Sequence, residues 1–194
     1  MGQSIVLFHS AYGLRPGVLR FADWLRSLGH DVVTPDLYDG EVFAALEPGI
    51  KKRDAVGIGE LMKRAAAAAA RAPTTTVFAG FSLGAAAAFA VAARSPKARG
   101  LVLMHGALDP AAFGFTTWPP RLAVTVHCAK DDPWVDVTER DALERAVRTA
   151  GAPFESFTYP CTGHLFADED LPDYDAPSAA LMKERIAAFL ATLR

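Results

Sequence analysis

Residues 75–90 read TTVFAGFSLGAAAAFA. The first part continues the β-branched run that starts at Thr74 and predicts a strand; the alanines that close the stretch predict a helix. Between them Ser82 stands with a glycine two residues to either side, in Gly80-Phe81-Ser82-Leu83-Gly84. Two readings compete for it. A serine on a sharp strand-to-helix turn exposes its Oγ above a sheet, where it can act as a nucleophile, and the flanking glycines let strand and helix close on that turn. The plainer reading is a small residue at a tight crossing. Chance predicts roughly 0.04 G-x-S-x-G matches in a chain of this composition, and the strand before and helix after add the context the motif needs.

Working outward, short apolar runs alternate with helical patterns along the whole chain. Strands are predicted at Ile5 to His9, Asp31 to Thr34, Thr75 to Phe81, Gly100 to His105, Leu122 to Cys128 and Phe154 to Tyr159. Several lack polar alternation, as strands covered on both faces do. Helices are predicted near 17–28, 54–71, 83–94, 137–150 and 178–193. This alternation implies an α/β fold built of βαβ units, with a parallel sheet and helices on both faces. The alanine runs at 65–70 and 85–88 read as helix that packs close to the sheet. No linker or repeat divides residues 1–194, so one domain is expected. The connections at 106–121 and 160–177 are long enough to hold a site.

With 194 residues, 51% of them hydrophobic and 22% charged, the chain can bury one sizeable core. A net charge of −2 leaves no footprint for nucleic acid or an anionic membrane, so a small-molecule substrate or another protein is the expected partner. No apolar run approaches about 18 residues, no leader pattern is visible, and Val6 stands where myristoylation of Gly2 needs Ser or Thr. Cys128 and Cys161 make no disulfide framework. A cytoplasmic location is expected, and monomer and homodimer both stay open. No His/Cys spacing suggests a metal, and no cofactor is expected.

A serine hydroxyl needs a base, and the base needs an orienting acid. Of the five histidines, His30 lies in a turn that reads as solvated, and His105 and His127 fall at strand ends, as structural histidines do. His9 ends the first strand and is near enough to line a site. His164 stands in a glycine-containing loop after the last strand, where a base belongs in the order Ser…Asp…His. For the acid, Asp131, Asp132 and Asp136 follow the fifth strand and Asp109 follows the fourth; position alone does not choose among them.

The chain resembles the dienelactone hydrolase family of α/β-hydrolases over nearly its whole length. The likeness is carried by Tyr12-Gly13-Leu14, Pro35-Asp36-Leu37-Tyr38, the turn at Ser82, and Asp132-x-Trp134-Val135 with Gly163-His164-x-Phe166. It implies strand order 2-1-3-4-5-6, no large lid and Asp132 as the acid. It also implies an oxyanion hole from the N–H groups of Leu83 and Ala11, and a site bordered by Ser10, Tyr12, Tyr38, Trp134, Phe166 and Asp168. Family members proper use a cysteine where Ser82 stands and a glutamate where Ser10 stands. They hold a substrate carboxylate with two arginines, which align with Gly40 and Asp168. Losing two guanidinium groups removes contacts worth about 1.5–3 kcal/mol each. The expected substrate is therefore a neutral or cationic ester, lactone or thioester of modest size, cleaved through an acyl-serine. A non-catalytic ligand-binding protein on the same fold is the alternative. A dehalogenase would need an aspartate in place of Ser82. Cys161, three residues before His164, reads as a partly buried free thiol, with a redox role the lesser reading.

Overall fold

The computed structural model describes residues 2–73 and 75–193. Thr74, at the start of the β-branched run, lies outside them. Six strands form one parallel sheet in the order β2-β1-β3-β4-β5-β6. They are β1 Ser4–Phe8, β2 Asp31–Val33, β3 Thr76–Phe81, β4 Ala98–Met104, β5 Ala123–Ala129 and β6 Phe154–Tyr159. The helices are α1 Pro16–Ser27, α2 Leu46–Val56, α3 Ile58–Ala70, α4 Leu83–Ala92, α5 Val137–Thr149 and α6 Ala176–Thr192. A short 3-10 turn, Pro110–Phe113, interrupts the 106–121 connection.

The inner strands are largely apolar because each pleat is covered on both sides. Ile5 and Leu7 of β1 face one core with Val18, Phe21 and Leu25 of α1 and Met182, Ile186 and Phe189 of α6. Val6 and Phe8 face the other, with Leu61 and Ala65 of α3, the α4 alanines, and Leu143 and Val147 of α5. Inner strand β3 is buried at all six positions, whereas β6, at the sheet's edge, exposes Glu155, Ser156 and Thr158. Helix α4 sits over β3 and β1, buried nearly all round, so an almost unbroken alanine face suits it. A sheet-to-helix distance set by methyl groups is what brings the helix start onto the strand ends.

Helix α2 has no counterpart among the expected elements. Pro48 and Gly49 lie in its first turn, and it has no apolar stripe; Gly49 is its single buried residue. The predicted helix at 54–71 begins instead at Ile58, because Gly57 at φ +84° ends α2 and turns the chain.

The glycines flanking Ser82 answer the question of close packing. A methyl on Gly80 would overlap the carbonyl of Gly84, and a methyl on Gly84 would lie 2.6 Å from the His9 carbonyl oxygen and nearer still to that of Phe8. These neighbours are backbone and cannot swing aside. Gly84→Ala is therefore expected to lower stability by about 2–3 kcal/mol, read as a fall in the urea midpoint at unchanged slope. An unchanged midpoint would contradict the contact.

Candidate functional site

At the carboxyl ends of the strands the backbone is bent where L-residues resist bending. Among the described residues Asp39, Ser82, His105 and Asp131 are the non-glycine residues at positive φ, and they follow β2, β3, β4 and β5 respectively. Each such conformation costs on the order of 1–3 kcal/mol and persists when the surroundings over-determine it. At Ser82 (φ +52°, ψ −108°) the surroundings are explicit. Its N–H donates to the Met104 carbonyl at 2.8 Å, its own carbonyl accepts from Ala85 at 2.8 Å, and the two glycine crossings fix strand and helix on either side. The side chain is left half-buried at the start of α4, where the first amides have no partner within the helix and the dipole favours negative charge.

Asp132 and His164 arrive on the loops after β5 and β6. Asp132 is 6% exposed; its Oδ1 accepts the Trp134 N–H at 2.9 Å, and its Oδ2 lies 2.7 Å from His164 Nδ1. A carboxylate only accepts, so Nδ1 carries the proton and the Nε2 lone pair faces outward. Nε2 lies 2.8 Å from Ser82 Oγ, whose O–H is the donor. Ser82, His164 and Asp132, far apart in the chain, thus form one continuous line of hydrogen bonds. Asp131 is exposed and Asp109 and Asp136 cap helical turns, Asp109 through the Ala111 N–H and Asp136 through that of Thr138.

The His164 loop is held from beneath. Asp173 Oδ2 accepts the Leu165 N–H, the Phe166 carbonyl accepts from Asp175, and Phe166 packs edge-on against His105 with ring centroids 4.7 Å apart. His105 is 1% exposed, stacks on Phe81 and meets the His164 ring edge-on at 6.1 Å, and neither of its ring nitrogens has a hydrogen-bond partner. Burial, with His164 and His127 nearby, drives its pKa well below the ordinary imidazole range.

The other histidines are structural. His9 is fully buried; its Nδ1–H donates to the Ser10 carbonyl at 2.7 Å and its Nε2 accepts the Leu37 N–H at 2.9 Å, which ties β1 to the loop after β2. His127 bonds with Thr125 and Tyr159, and burial pulls it down to about 3. His30, expected in solvent, is half-buried and accepts the Gln3 amide.

Four of the expected border residues are corrected by their burial. Tyr38 and Phe166 have no exposed surface to offer a ligand. The Tyr38 hydroxyl donates to the Gly49 carbonyl at 3.2 Å, and burial pushes its pKa up to about 12. Ser10, 2% exposed, uses its Oγ to accept the Tyr12 N–H and its carbonyl to accept that of Gly13. Asp168, 3% exposed, turns under the start of α1, against Gly17, with Arg15 Nε 3.9 Å away. Its carboxyl is pushed up by burial and faces that helix. Tyr12 and Trp134 keep accessible surface, Trp134 most of all at 57%. Cys161 is 9% exposed, and burial raises its thiol.

Arg15 and Gly49 were not singled out from sequence. The Arg15 guanidinium donates to the Phe43 carbonyl at 2.6 Å and to that of Asp170 at 3.2 Å, joining the loops after β1, β2 and β6. Gly49 lies with its α-carbon on the Ala11 carbonyl, where a methyl would overlap. Neither has a motif around it. No group of three or more metal-ligating side chains occurs among the described residues, and no helix there is long and apolar enough to cross a membrane.

A family model described as the dienelactone hydrolase family matches residues 2–193. The chain belongs to that family. As a dienelactone hydrolase family member it is a hydrolase acting on esters. It is 30% identical over 197 residues to a carboxymethylenebutenolidase of Rhodococcus opacus, covering 92% of this chain and 76% of that protein. Among solved structures, a dienelactone hydrolase-like promiscuous phosphotriesterase from metagenomic libraries superposes with a TM-score of 0.77 at 23% identity, covering 98% of this chain and 86% of the other. Esterase 2 of Thermogutta terrifontis, with propionate bound, gives 0.68 at 15% identity, with 98% and 83% covered. These likenesses establish the α/β-hydrolase fold.

The buried histidines make a contribution to stability that is lost on the acid side. In the unfolded chain an imidazole binds a proton below about pH 6.5; folded His105 does not, so its contribution is complete above that range and is lost as pH falls, by up to about 1.4 kcal/mol per pH unit. His105→Phe is expected to lose less stability than the parent between pH 7 and pH 5 in urea unfolding. Parallel losses would show that His105 is protonated in the fold.

Proposed function

We propose that the protein is a serine hydrolase in which Ser82, His164 and Asp132 form a catalytic triad. The observation that carries this reading is the hydrogen-bond line from Ser82 Oγ through both nitrogens of His164 to Asp132 Oδ2, at 2.8 and 2.7 Å. Ser82 Oγ attacks the carbonyl carbon as its proton passes to His164 Nε2, and Asp132 keeps Nδ1 protonated and stabilises the imidazolium. The alkoxide oxygen formed is held by the N–H of Leu83, first in α4, and by that of Ala11, which donates to no acceptor among the described residues. The imidazolium then gives its proton to the leaving oxygen or sulfur, and an acyl-serine remains. Water enters, its oxygen bonds to the acyl carbon as its proton passes to His164, and the acyl–Oγ bond breaks as His164 returns that proton to Ser82, releasing the acid. This route needs no metal or organic cofactor.

The substrate class follows from what does not face the site. The resemblance aligns Gly40 and Asp168 with the family's two carboxylate-holding arginines; Gly40 has no side chain and the Asp168 carboxylate turns beneath α1. The reading is therefore a neutral or cationic ester, lactone or thioester of modest size.

Ser82→Ala is expected to reduce kcat/KM on p-nitrophenyl esters by about 10⁴-fold or more at an unchanged melting temperature, and to abolish labelling by a fluorophosphonate. A parent protein that resists the probe and hydrolyses no ester would instead be a ligand-binding member of the fold.

A further inference from the structure

Charge is distributed very unevenly between the two ends of the sheet. The segments that leave the carboxyl ends of the strands, 9–15, 34–45, 82, 105–109, 130–136 and 160–175, hold twelve of the 22 acidic residues and two of the 20 basic ones. The near-neutral total therefore conceals a negative face, and it is the face that carries Ser82. Of the two cations there, Arg15 is engaged with the Phe43 and Asp170 carbonyls beside Asp168, and only Lys130 is without an ion pair among the described residues. Several acids are neutralised from the helices behind them: Asp39 by Arg64, Glu41 by Lys52, and Glu169 and Asp170 by Arg20. By contrast Asp36, Asp109, Asp131, Asp136, Asp173 and Asp175 have no Lys or Arg within 4.0 Å among the described residues.

Much of this has a structural use, since Asp109, Asp136 and Asp175 cap helical elements. Capping does not remove the charge: a helix terminus offsets about half of one. The remainder is felt locally, because Asp136 and Asp109, together with burial, push the Glu139 carboxyl up.

The second observation is independent of charge. The Trp134 indole is 57% exposed and its centroid lies 6.0 Å from that of His164, tilted by 41°. The other tryptophans lie elsewhere, Trp118 buried at 3% exposure and Trp24 half-buried on α1. Trp134 cannot swing away with its backbone, whose N–H is held by Asp132 Oδ1. An aromatic face beside the base, open to solvent, flanked in the chain by the unpaired Asp131 and Asp136 and carried on the acidic end of the sheet, is suited to a cation: the ring quadrupole attracts it, and the field concentrates it there.

We propose that this site selects esters bearing a positive charge, an alkylammonium on the acyl or the leaving side, with Trp134 as the residue that receives it. The inference rests on the triad reading and narrows its substrate class. The chemistry is unchanged: water's oxygen goes to the acyl carbon, its proton to the leaving oxygen, and the cation takes no part in bond making.

The test compares three p-nitrophenyl esters of one chain length: γ-trimethylammoniobutyrate, its neutral tert-butyl isostere and the hemiglutarate. The expected order of kcat/KM is cation, neutral, anion, with cation over neutral by about 10-fold at low salt and the gap narrowing as ionic strength rises. Trp134→Ala is expected to cut the cation-to-neutral ratio by about 2- to 5-fold and Trp134→Phe by less. A residue that merely packs against His164 would slow both esters together and leave that ratio unmoved. Equal rates on the three esters, or preference for the anion, with Ser82 still labelled by fluorophosphonate, would overturn the inference and leave the triad standing. An unlabelled Ser82 with no ester turned over would overturn both.

Discussion

Where α4 begins, three stretches of backbone meet with no side chain between them. The α-carbon of Gly84 lies on the carbonyls of Phe8 and His9 at the end of β1, and that of Gly80 lies on the carbonyl of Gly84 itself. With strand and helix this close, the one residue that can turn the chain between them is forced into φ +52°. That residue is Ser82. Its outward Oγ, its position at a helix N-terminus and its reach to His164 are consequences of one crossing rather than separate devices. The strain is offset by the Met104 and Ala85 hydrogen bonds and by the burial of α4 over the sheet.

The same edge collects the molecule's other departures from local rules. Non-glycine residues at positive φ follow four of the six strands at their carboxyl ends. His105 is buried with both ring nitrogens unpartnered, at a cost of about 1–3 kcal/mol. Elsewhere the sequence agrees with itself: apolar strands inside, alanine against the sheet, aspartate at the starts of α5 and α6. Concentrated inconsistency beside a consistent scaffold is the pattern expected where function was favoured over stability. The scaffold supports it through polar ties, His9 to Leu37, Tyr38 to Gly49 of α2, and Arg15 to Phe43 and Asp170, which join segments after different strands that would otherwise be independent.

Sequence reasoning reached the sheet because strands covered on both faces are written as unbroken apolar runs, and it reached Ser82 and His164 because motif and chain order constrain them. Asp132 was another matter. Three aspartates in seven residues look alike, and resemblance, not position, separated them; what distinguishes Asp132 in space is that Asp131 turns at φ +57° and leaves its neighbour pointing inward. Helix α2 was illegible because Pro48 and Gly49 obscure its start and contact with Ala11 and Tyr38, not amphipathicity, holds it. The border residues erred for a related reason. Phe166 and Asp168 stand two and four residues beyond His164, and Tyr38 beside the positive-φ Asp39, but loops fold back, and these side chains turned into the core or under a helix.

The place of Ser10 links the choice of nucleophile to this geometry. The resemblance puts a glutamate there in relatives whose nucleophile is a thiol, a group acidic enough to need its proton controlled by a neighbour. A serine hydroxyl stays protonated at neutral pH, so on the triad reading its proton must be taken during attack by a base already in contact, as His164 is at 2.8 Å. On that reading a carboxylate at position 10, on the loop that follows β1, would add nothing to the proton transfer and would oppose the negative charge that forms on the substrate oxygen. Ser10 avoids that charge and gives its Oγ to the Tyr12 amide, which steadies the loop that also carries the Ala11 N–H. On the proposed mechanism the exchange of an acid for a hydroxyl thus suits the serine twice, by removing a charge that the chemistry would resist and by fixing the loop whose Ala11 N–H is proposed to hold the oxyanion.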